Sequence, residues 1–262
     1  MPLATRLPCI LLTNDDGFDA PGLKVLAKIA ETLADEIWII APEHDQSGTG
    51  QSLSIHMPLR AWPRGERRWA VTGTPADCVG IALSKLMGDK KPSLILSGIN
   101  AGSNIGDEVN MSGTLGAAFM GLMMGTPSIA LSQDCNLRSD INWETAEKVS
   151  HKMLTYFLKH GWRKDTCLSI NIPHCAAEEI KGFSWARQCH KNVVGVHTDQ
   201  REDKRQQSYY WLSIVDKLPA AKDNSDFSIL QRHEVSVTTL GLDRSLEIAE
   251  PSIKFDTLNA DD

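Results

Sequence analysis

No apolar run in the chain approaches the roughly 20 residues that a membrane-spanning helix requires, so no membrane partner is expected. The six cysteines, at positions 9, 78, 135, 167, 175 and 189, form no C-x-x-C pair. A structural zinc or a thioredoxin-type redox motif therefore lacks support. Positive charge is not in excess either: 27 basic residues face 33 acidic ones, for a net of -6. No basic stripe is available to track a phosphate backbone, which argues against a nucleic-acid polymer as partner. The chain has no G-x-x-x-x-G-K-[ST] and no G-x-S-x-G, and Gly98, Gly102 and Gly106 do not match G-x-G-x-x-G. P-loop, nucleophile-elbow and dinucleotide-fingerprint chemistries are set aside on that ground. His44, His56 and the other histidines show no ligand spacing and read as surface or packing residues. Residues 1–8 lack the charged start and apolar core of a secretion signal, so a reducing cytoplasmic setting is the expectation.

What remains is a chain of 262 residues, 42% hydrophobic, enough for one large α/β domain with a sizeable arm. Cys9-Ile10-Leu11-Leu12 is a short continuous apolar run, the pattern of a strand buried on both faces of a parallel sheet. It runs straight into Thr13-Asn14-Asp15-Asp16-Gly17. Two adjacent carboxylates repel unless a cation, solvent or a donor offsets them. Gly17 permits a sharp turn that lets both point one way. Asn and Asp also form turns and caps, so on these residues alone a polar strand-to-helix turn explains the stretch equally well.

Leu23, Leu26, Ala27, Ala30 and Leu33 then share one helical face, opposite Lys24, Lys28, Glu31 and Asp35. A second strand is expected over Ile37–Ala41, completing a right-handed β-α-β unit. A long polar loop follows, from Pro42 to Ser52. Leu53–Ile55 and Trp69–Thr72 are expected to be extended, joined by a hairpin through Pro63-Arg64-Gly65. Thr74, Pro75 and Asp77 mark a helix start that runs to about Met87, with Asp77 read as a capping residue. Further strands are expected at Leu94–Ser97, Ser128–Ser132 and Leu168–Ile172. Helices are expected from Ser112 to Gly125 and from Trp143 to His160. Beyond about residue 180 aromatic and charged residues mix, and Tyr209–Leu212 and Val235–Leu240 read as strands of an extended arm. The tail beyond about Gly241 is expected to be loosely held.

Loops that follow parallel strands leave the same edge of a sheet, the edge where α/β proteins bind ligands. Those loops carry Asp15 and Asp16, Ser47, and Asn100 with Asn104. Two carboxylates, a hydroxyl and amide carbonyls make an all-oxygen set suited to Mg²⁺, Mn²⁺ or Ca²⁺. Ser112-Gly113-Thr114 opens a helix whose N-terminal amides can receive an anion, with Gly113 allowing close approach. Taken alone, Ser112 reads better as an N-cap. A hard cation beside an anion nest describes a phosphate site.

These stretches resemble the SurE family, the stationary-phase survival proteins, which are metal-dependent nucleotidases. The resemblance rests on Leu11 to Gly17 with Ala20-Pro21-Gly22, on Ala41-Pro42 with Gln46-Ser47-Gly48, and on Gly73 to Val79. It continues through Ser97 to Gly102 and Asn110 to Thr114. It implies a Rossmann-like three-layer α/β sandwich with a mostly parallel sheet over residues 1–185. It also implies a C-terminal arm or hairpin over residues 186–262, exchanged between protomers in a homodimer or homotetramer. It places the ligands of one divalent ion per subunit, Mg²⁺ or Mn²⁺, on Asp15, Asp16, Ser47 and Asn100, and phosphate contacts on Ser112, Gly113 and Thr114. The chain departs from the family pattern at Thr239, His233-Glu234 and Met111.

The reaction expected is hydrolysis of a nucleoside monophosphate to nucleoside and phosphate. Asp15 and Asp16 are the candidate catalytic carboxylates, Asp16 being the first choice for acid or base. Asn104, Ser112, Gly113 and Thr114 are the candidate substrate contacts. An aspartyl-phosphate route is the less favoured version. The alternatives are a broader phosphatase or exopolyphosphatase activity, and a non-catalytic metal- or nucleotide-binding stress protein.

Overall fold

The computed structural model describes residue 3 and residues 6–190, 192–217 and 223–245. The expected loose tail beyond residue 245 lies outside the described residues. Leu7–Thr13 forms β1, in which all residues but one are buried. Ala34–Pro42 (β2) and Leu94–Ala101 (β5) flank it in parallel register. Ser128–Gln133 (β6) and Cys167–Ile172 (β7) extend the parallel sheet, each wholly buried. These are the continuous apolar runs of strands covered on both faces.

Pro21–Leu33 (α1) starts on Pro21, whose fixed φ suits the first helical position. Its buried face of Leu23, Leu26, Ile29, Ala30 and Leu33 joins Met153, Leu154 and Phe157 of Trp143–His160 (α4) in one core on the sheet. The opposite face carries Pro75–Ile81 (α2) and Gly113–Met123 (α3), whose Val79 and Ala117 pack on Leu11, Ile40 and Ile95. Two helical layers thus sandwich the sheet, as expected for a Rossmann-like fold. Thr74 and Asp77 form a reciprocal capping box at the start of α2, with distances of 3.1 and 2.9 Å. The capping role expected for Asp77 is therefore present. Asp77 also accepts from the Ser54 amide at 2.9 Å.

The hairpin after the long loop differs from expectation. Ala61–Gly65 (β3) pairs antiparallel with Arg68–Val71 (β4), so the chain turns at Glu66-Arg67, and Leu53–Ile55 forms no strand. Pro63 and Gly65 sit inside β3 because β3 is the outer edge strand and irregular between those two residues. An edge strand tolerates a missing donor, and a bulge tolerates glycine. The strand over Leu94–Ser97 also runs further than expected, to Ala101, through an irregularity between Ser97 and Asn100. That extension carries Asn100 to the sheet edge.

The nine-stranded order is β3-β4-β2-β1-β5-β6-β7-β11-β8. Phe183–Trp185 (β8) closes the far edge. Val193–Glu202 (β9) and Ser208–Asp216 (β10) form a separate antiparallel hairpin, the expected C-terminal arm. After the helix Asp226–Gln231 (α5), Val235–Leu240 (β11) returns and inserts between β7 and β8, antiparallel to β7. No helix among the described residues is long and apolar enough to cross a membrane.

Helix α1 approaches β5 closely enough that a Cβ on Gly22 would lie 1.9 Å from the Ile99 carbonyl oxygen. Gly22→Ala must push the helix off the sheet and is expected to cost about 2–3 kcal/mol, the range of an overpacked core. Gly195→Ala, with no atom within 4 Å of the new Cβ, is expected to stay within about 0.5 kcal/mol of wild type. Urea denaturation of both variants checks the contrast.

Candidate active site

The turn after β1 is built by its own residues. Asn14 donates from Nδ2 to the Gly17 carbonyl at 2.8 Å, and Gly17 adopts φ +102°, a left-handed conformation that disfavours a side chain. Backbone bonds tie this turn to the loop after β2: Gln46 N–H donates to the Asp15 carbonyl at 2.8 Å, and Phe18 N–H to the Pro42 carbonyl at 2.7 Å. The two carboxylates then take different partners. Asp15 Oδ1 accepts from Thr114 Oγ1 at 2.6 Å, and Asp16 Oδ2 accepts from the Ala101 amide at 3.0 Å. Asp16 Oδ1 is buried with no hydrogen-bond partner.

Both acids are strained electrostatically. Burial pushes the Asp15 carboxyl up to about 6, against the Thr114 hydrogen bond and with the Asp16 charge adding to the rise. Burial also raises Asp16, opposed by the Ala101 amide and by the Arg138 guanidinium. Each shift disfavours the ionised form in the absence of a nearby cation.

Ser47 sits in the loop after β2. Its amide donates to Asp45 Oδ1 at 2.8 Å, and its hydroxyl accepts from Arg138 Nη2 at 2.9 Å. Asn100 donates from Nδ2 to the Gly102 carbonyl at 2.8 Å, which leaves its amide oxygen as the acceptor. Asp15, Ser47, Asn100, Asn104 and Ser112 all line one cleft of about 230 Å³ at the C-terminal edge of β1, β2 and β5. Asn104 is held by a pair of bonds to Asn171 and by Nδ2 donation to Ser132 Oγ at 2.8 Å.

Helix α3 enters this cleft end-on. Ser112 is its N-cap and accepts from the Leu115 amide at 3.1 Å. A Cβ on Gly113 would lie 2.8 Å from Asp15 Cβ and 3.0 Å from Asp15 Oδ2, so only glycine lets the helix start beside that carboxylate. The Thr114 side chain is fully buried and committed to Asp15, and it does not line the cleft. Loop and helix are fastened again by Gly50 N–H donating to the Met111 carbonyl at 2.9 Å. At Gly116 a Cβ would lie 1.9 Å from the Gly50 carbonyl oxygen.

Among the described residues, no group of three or more His, Cys, Asp or Glu is arranged to hold a metal. A cation here must rely on two carboxylates and neutral oxygens. That donor set fits Mg²⁺ or Mn²⁺, which are held by one or two carboxylates and keep several waters. The buried Asp16 Oδ1, which accepts no hydrogen bond and has only the Arg138 guanidinium 3.5 Å away, is the observation that favours such a cation.

Five contributors escape the sequence reading. Asp45 lay within the polar loop that was read, but nothing set it apart from its neighbours. Arg138 and Asp134 lie in the loop after β6, which leaves the same sheet edge, so the edge rule could have found them. Ile214, from the hairpin, also lines the cleft and had no sequence marker. Glu108 lines it too, with its carboxyl pushed up to about 7 by burial and by Asp216, Asp134, Asp226 and Asp107.

A mostly parallel α/β sheet between helical layers defines the Rossmann-like class, and this chain gathers oxygen-bearing side chains and a helix N-terminus at the carboxyl edge of that sheet. Comparison with known proteins is specific. The family model described as "Survival protein SurE" matches residues 10–194. The "5'-nucleotidase SurE 1" of Burkholderia lata is 44% identical over 237 residues, 90% of this chain and 91% of that protein. The "5'-nucleotidase SurE" of Bradyrhizobium sp. (strain ORS 278) is 42% identical, over 91% and 95%. The crystal structure of the SurE protein from Aquifex aeolicus superposes with a TM-score of 0.77 at 34% identity, covering 91% of this chain and 95% of that one. The chain belongs to the SurE family.

Glu108 generates a pH prediction. In the fold it keeps its proton to about pH 7, whereas in the unfolded chain it loses it near about 4.3. Between those values the folded state binds more protons, so its contribution to stability falls as pH rises. Glu108→Gln is expected to be more stable than wild type at pH 8 by on the order of 1–2 kcal/mol, after discounting for partial exposure, and little different at pH 4. A stability difference that is the same at both pH values would rule out the carboxyl as its source.

Proposed function

We propose that this chain is a divalent-metal-dependent phosphomonoesterase that hydrolyses nucleoside monophosphates to nucleoside and phosphate. The observation that carries the reading is Asp15, next to Asp16 in the turn after β1, meeting the N-terminus of α3 in one cleft. Its membership of a family whose relatives are named 5'-nucleotidases supports the choice of substrate.

Asp15, Asp16, Ser47 and Asn100 would hold one Mg²⁺ or Mn²⁺. When bound, such an ion polarises a phosphoryl oxygen and makes water a stronger nucleophile at neutral pH. The chain's own groups do the rest. The N-terminus of α3 at Ser112–Thr114 faces the phosphoryl oxygens with its positive dipole end. Thr114 fixes the Asp15 carboxylate, and Gly113 lets that carboxylate sit against the start of the helix. Asp16, with one oxygen free of hydrogen bonds, is the group that accepts or returns a proton at the attacking water or leaving oxygen. Asn104, pinned by Asn171 and Ser132, orients the substrate. A second cleft of about 700 Å³ shares Ser103 and Glu108 with the first and gives the nucleoside room. Its Glu108, Asp134 and Asp216 lining suits hydroxyl and amino donors and disfavours a polyphosphate chain.

One face of the hairpin exposes Val194, Val196, Tyr210, Leu212 and Ile214. An apolar surface of that kind fits pairing with a second copy, and we assign the β9–β10 hairpin to a homodimer or homotetramer contact. The six cysteines, free in the structure, agree with a reducing cytoplasmic setting.

The test is hydrolysis of a panel of 5'- and 3'-nucleoside monophosphates, an aryl phosphate and polyphosphate, with Mn²⁺ or Mg²⁺ and with a chelator. Nucleotides are expected to be cleaved only in the presence of metal. Asp15→Asn, which keeps an acceptor for Thr114 but removes the charge, is expected to lose at least about 100-fold in kcat, the scale of a lost electrostatic group. It should also lose the Mn²⁺-induced rise in Tm. Full activity of Asp15→Asn, or an inactive wild type under every metal, would sink the enzyme reading in favour of a binding protein.

A further inference from the structure

One cation reaches the candidate site, from the loop between β6 and α4. Arg138 Nη1 donates to Asp45 Oδ2 at 3.0 Å and Nη2 to Ser47 Oγ at 2.9 Å, while Nη1 lies 3.5 Å from Asp16 Oδ1. It is the positively charged residue in the lining of the 230 Å³ cleft. Two of its three partners, Asp16 and Ser47, are residues assigned above to the metal. The third, Asp45, is not.

A guanidinium and a divalent cation on the same two oxygens repel each other, so both positions cannot be fully satisfied at once. The Arg138 side chain is 55% exposed. Asp45 offers a separate anchor: it accepts from Arg138 Nη1 at 3.0 Å and is itself held by the Ser47 amide at 2.8 Å. The incoming phosphate is an anion entering a cleft lined by Asp15 and Glu108, with Asp16 and Asp45 beside it as partners of Arg138. It needs positive charge beyond what α3 supplies, and a guanidinium fork matches two phosphoryl oxygens.

We propose that Arg138 exchanges partners: it occupies Asp16 and Ser47 when no divalent cation is bound, and with the cation in place it stays on Asp45 and turns its free edge to the substrate phosphate. The inference rests on the phosphatase reading of the cleft. It makes Arg138 a substrate-contacting residue and also a competitor of the metal. A surface ion pair worth little, the ordinary expectation for a half-exposed arginine, would have neither effect.

Calorimetry separates these. Mn²⁺ is titrated into wild type, Arg138→Ala and Arg138→Lys without substrate, and inorganic phosphate is then titrated into each Mn²⁺-loaded protein. Arg138→Ala is expected to bind Mn²⁺ about 5-fold more tightly and phosphate about 10-fold more weakly than wild type. Arg138→Lys, which keeps the charge but loses the fork, is expected to bind phosphate with intermediate affinity. In turnover the alanine variant should raise KM more than it lowers kcat. Unchanged or weaker Mn²⁺ affinity in Arg138→Ala, unchanged phosphate affinity, or no Mn²⁺ binding by either protein overturns the proposal. Because both titrations are free of turnover, the two ideas fail separately. A protein that cleaves no nucleotide but shows both shifts keeps the Arg138 inference and loses the nucleotidase reading.

Discussion

Two carboxylates sit side by side at the end of a buried strand, and burial opposes the ionisation of each. The surroundings of Asp15 and Asp16 are a set of answers to that problem. Thr114 reaches out of α3 to one, and the Ala101 amide at the end of β5 reaches the other. Arg138 approaches from a third loop. Each answer comes from a different element, so the acid pair pulls together the ends of β1, β5, β6 and α3. The repulsion is left partly unrelieved, with Asp15 near 6 and one Asp16 oxygen without a donor. A site held in that condition is stabilised by whatever cation enters it, because binding one removes an existing cost.

Most of this was readable from the chain, for a physical reason. The central strands are covered on both faces, so they must be continuous apolar runs, and their polar exits stand out against them. Leu11–Gly17 and Leu94–Asn104 carry chemistry at places where composition changes abruptly. Helix starts were equally plain, because Thr74, Pro75 and Asp77 obey local rules that the tertiary fold need not supply. The α1 and α4 faces followed from their 3.6-residue period. What could not be read depends on contact at a distance. Arg138 meets Asp45 and Ser47 across about 90 residues of sequence. Ile214 meets the cleft only because of where the hairpin folds. Thr114 looked like a phosphate contact beside Ser112, but its hydroxyl is placed on Asp15, a pairing 99 residues apart.

The misplaced hairpin turn has a related cause. Pro63-Arg64-Gly65 has turn composition, yet the chain turns two residues later. Proline and glycine punctuate a strand as readily as a turn once that strand is an irregular edge, and edge position is a property of the finished sheet order. The return of β11 between β7 and β8 is of the same kind. Val235–Leu240 was legible as a strand, but its neighbours were not.

The contact between Gly50 and α3 carries a wider consequence. Gly50 donates to Met111, and its carbonyl fills the space that a side chain at Gly116 would take. The loop that holds Ser47 and the start of α3 are therefore fastened to each other. Motion of the loop that widens the distance between Ser47 and the N-terminus of α3 has to break that contact or carry the helix along. The geometry between them is settled when the chain folds rather than each time a substrate arrives. Two residues without side chains set the gauge of the site while taking no part in its chemistry, and a search for reactive groups alone would pass over both.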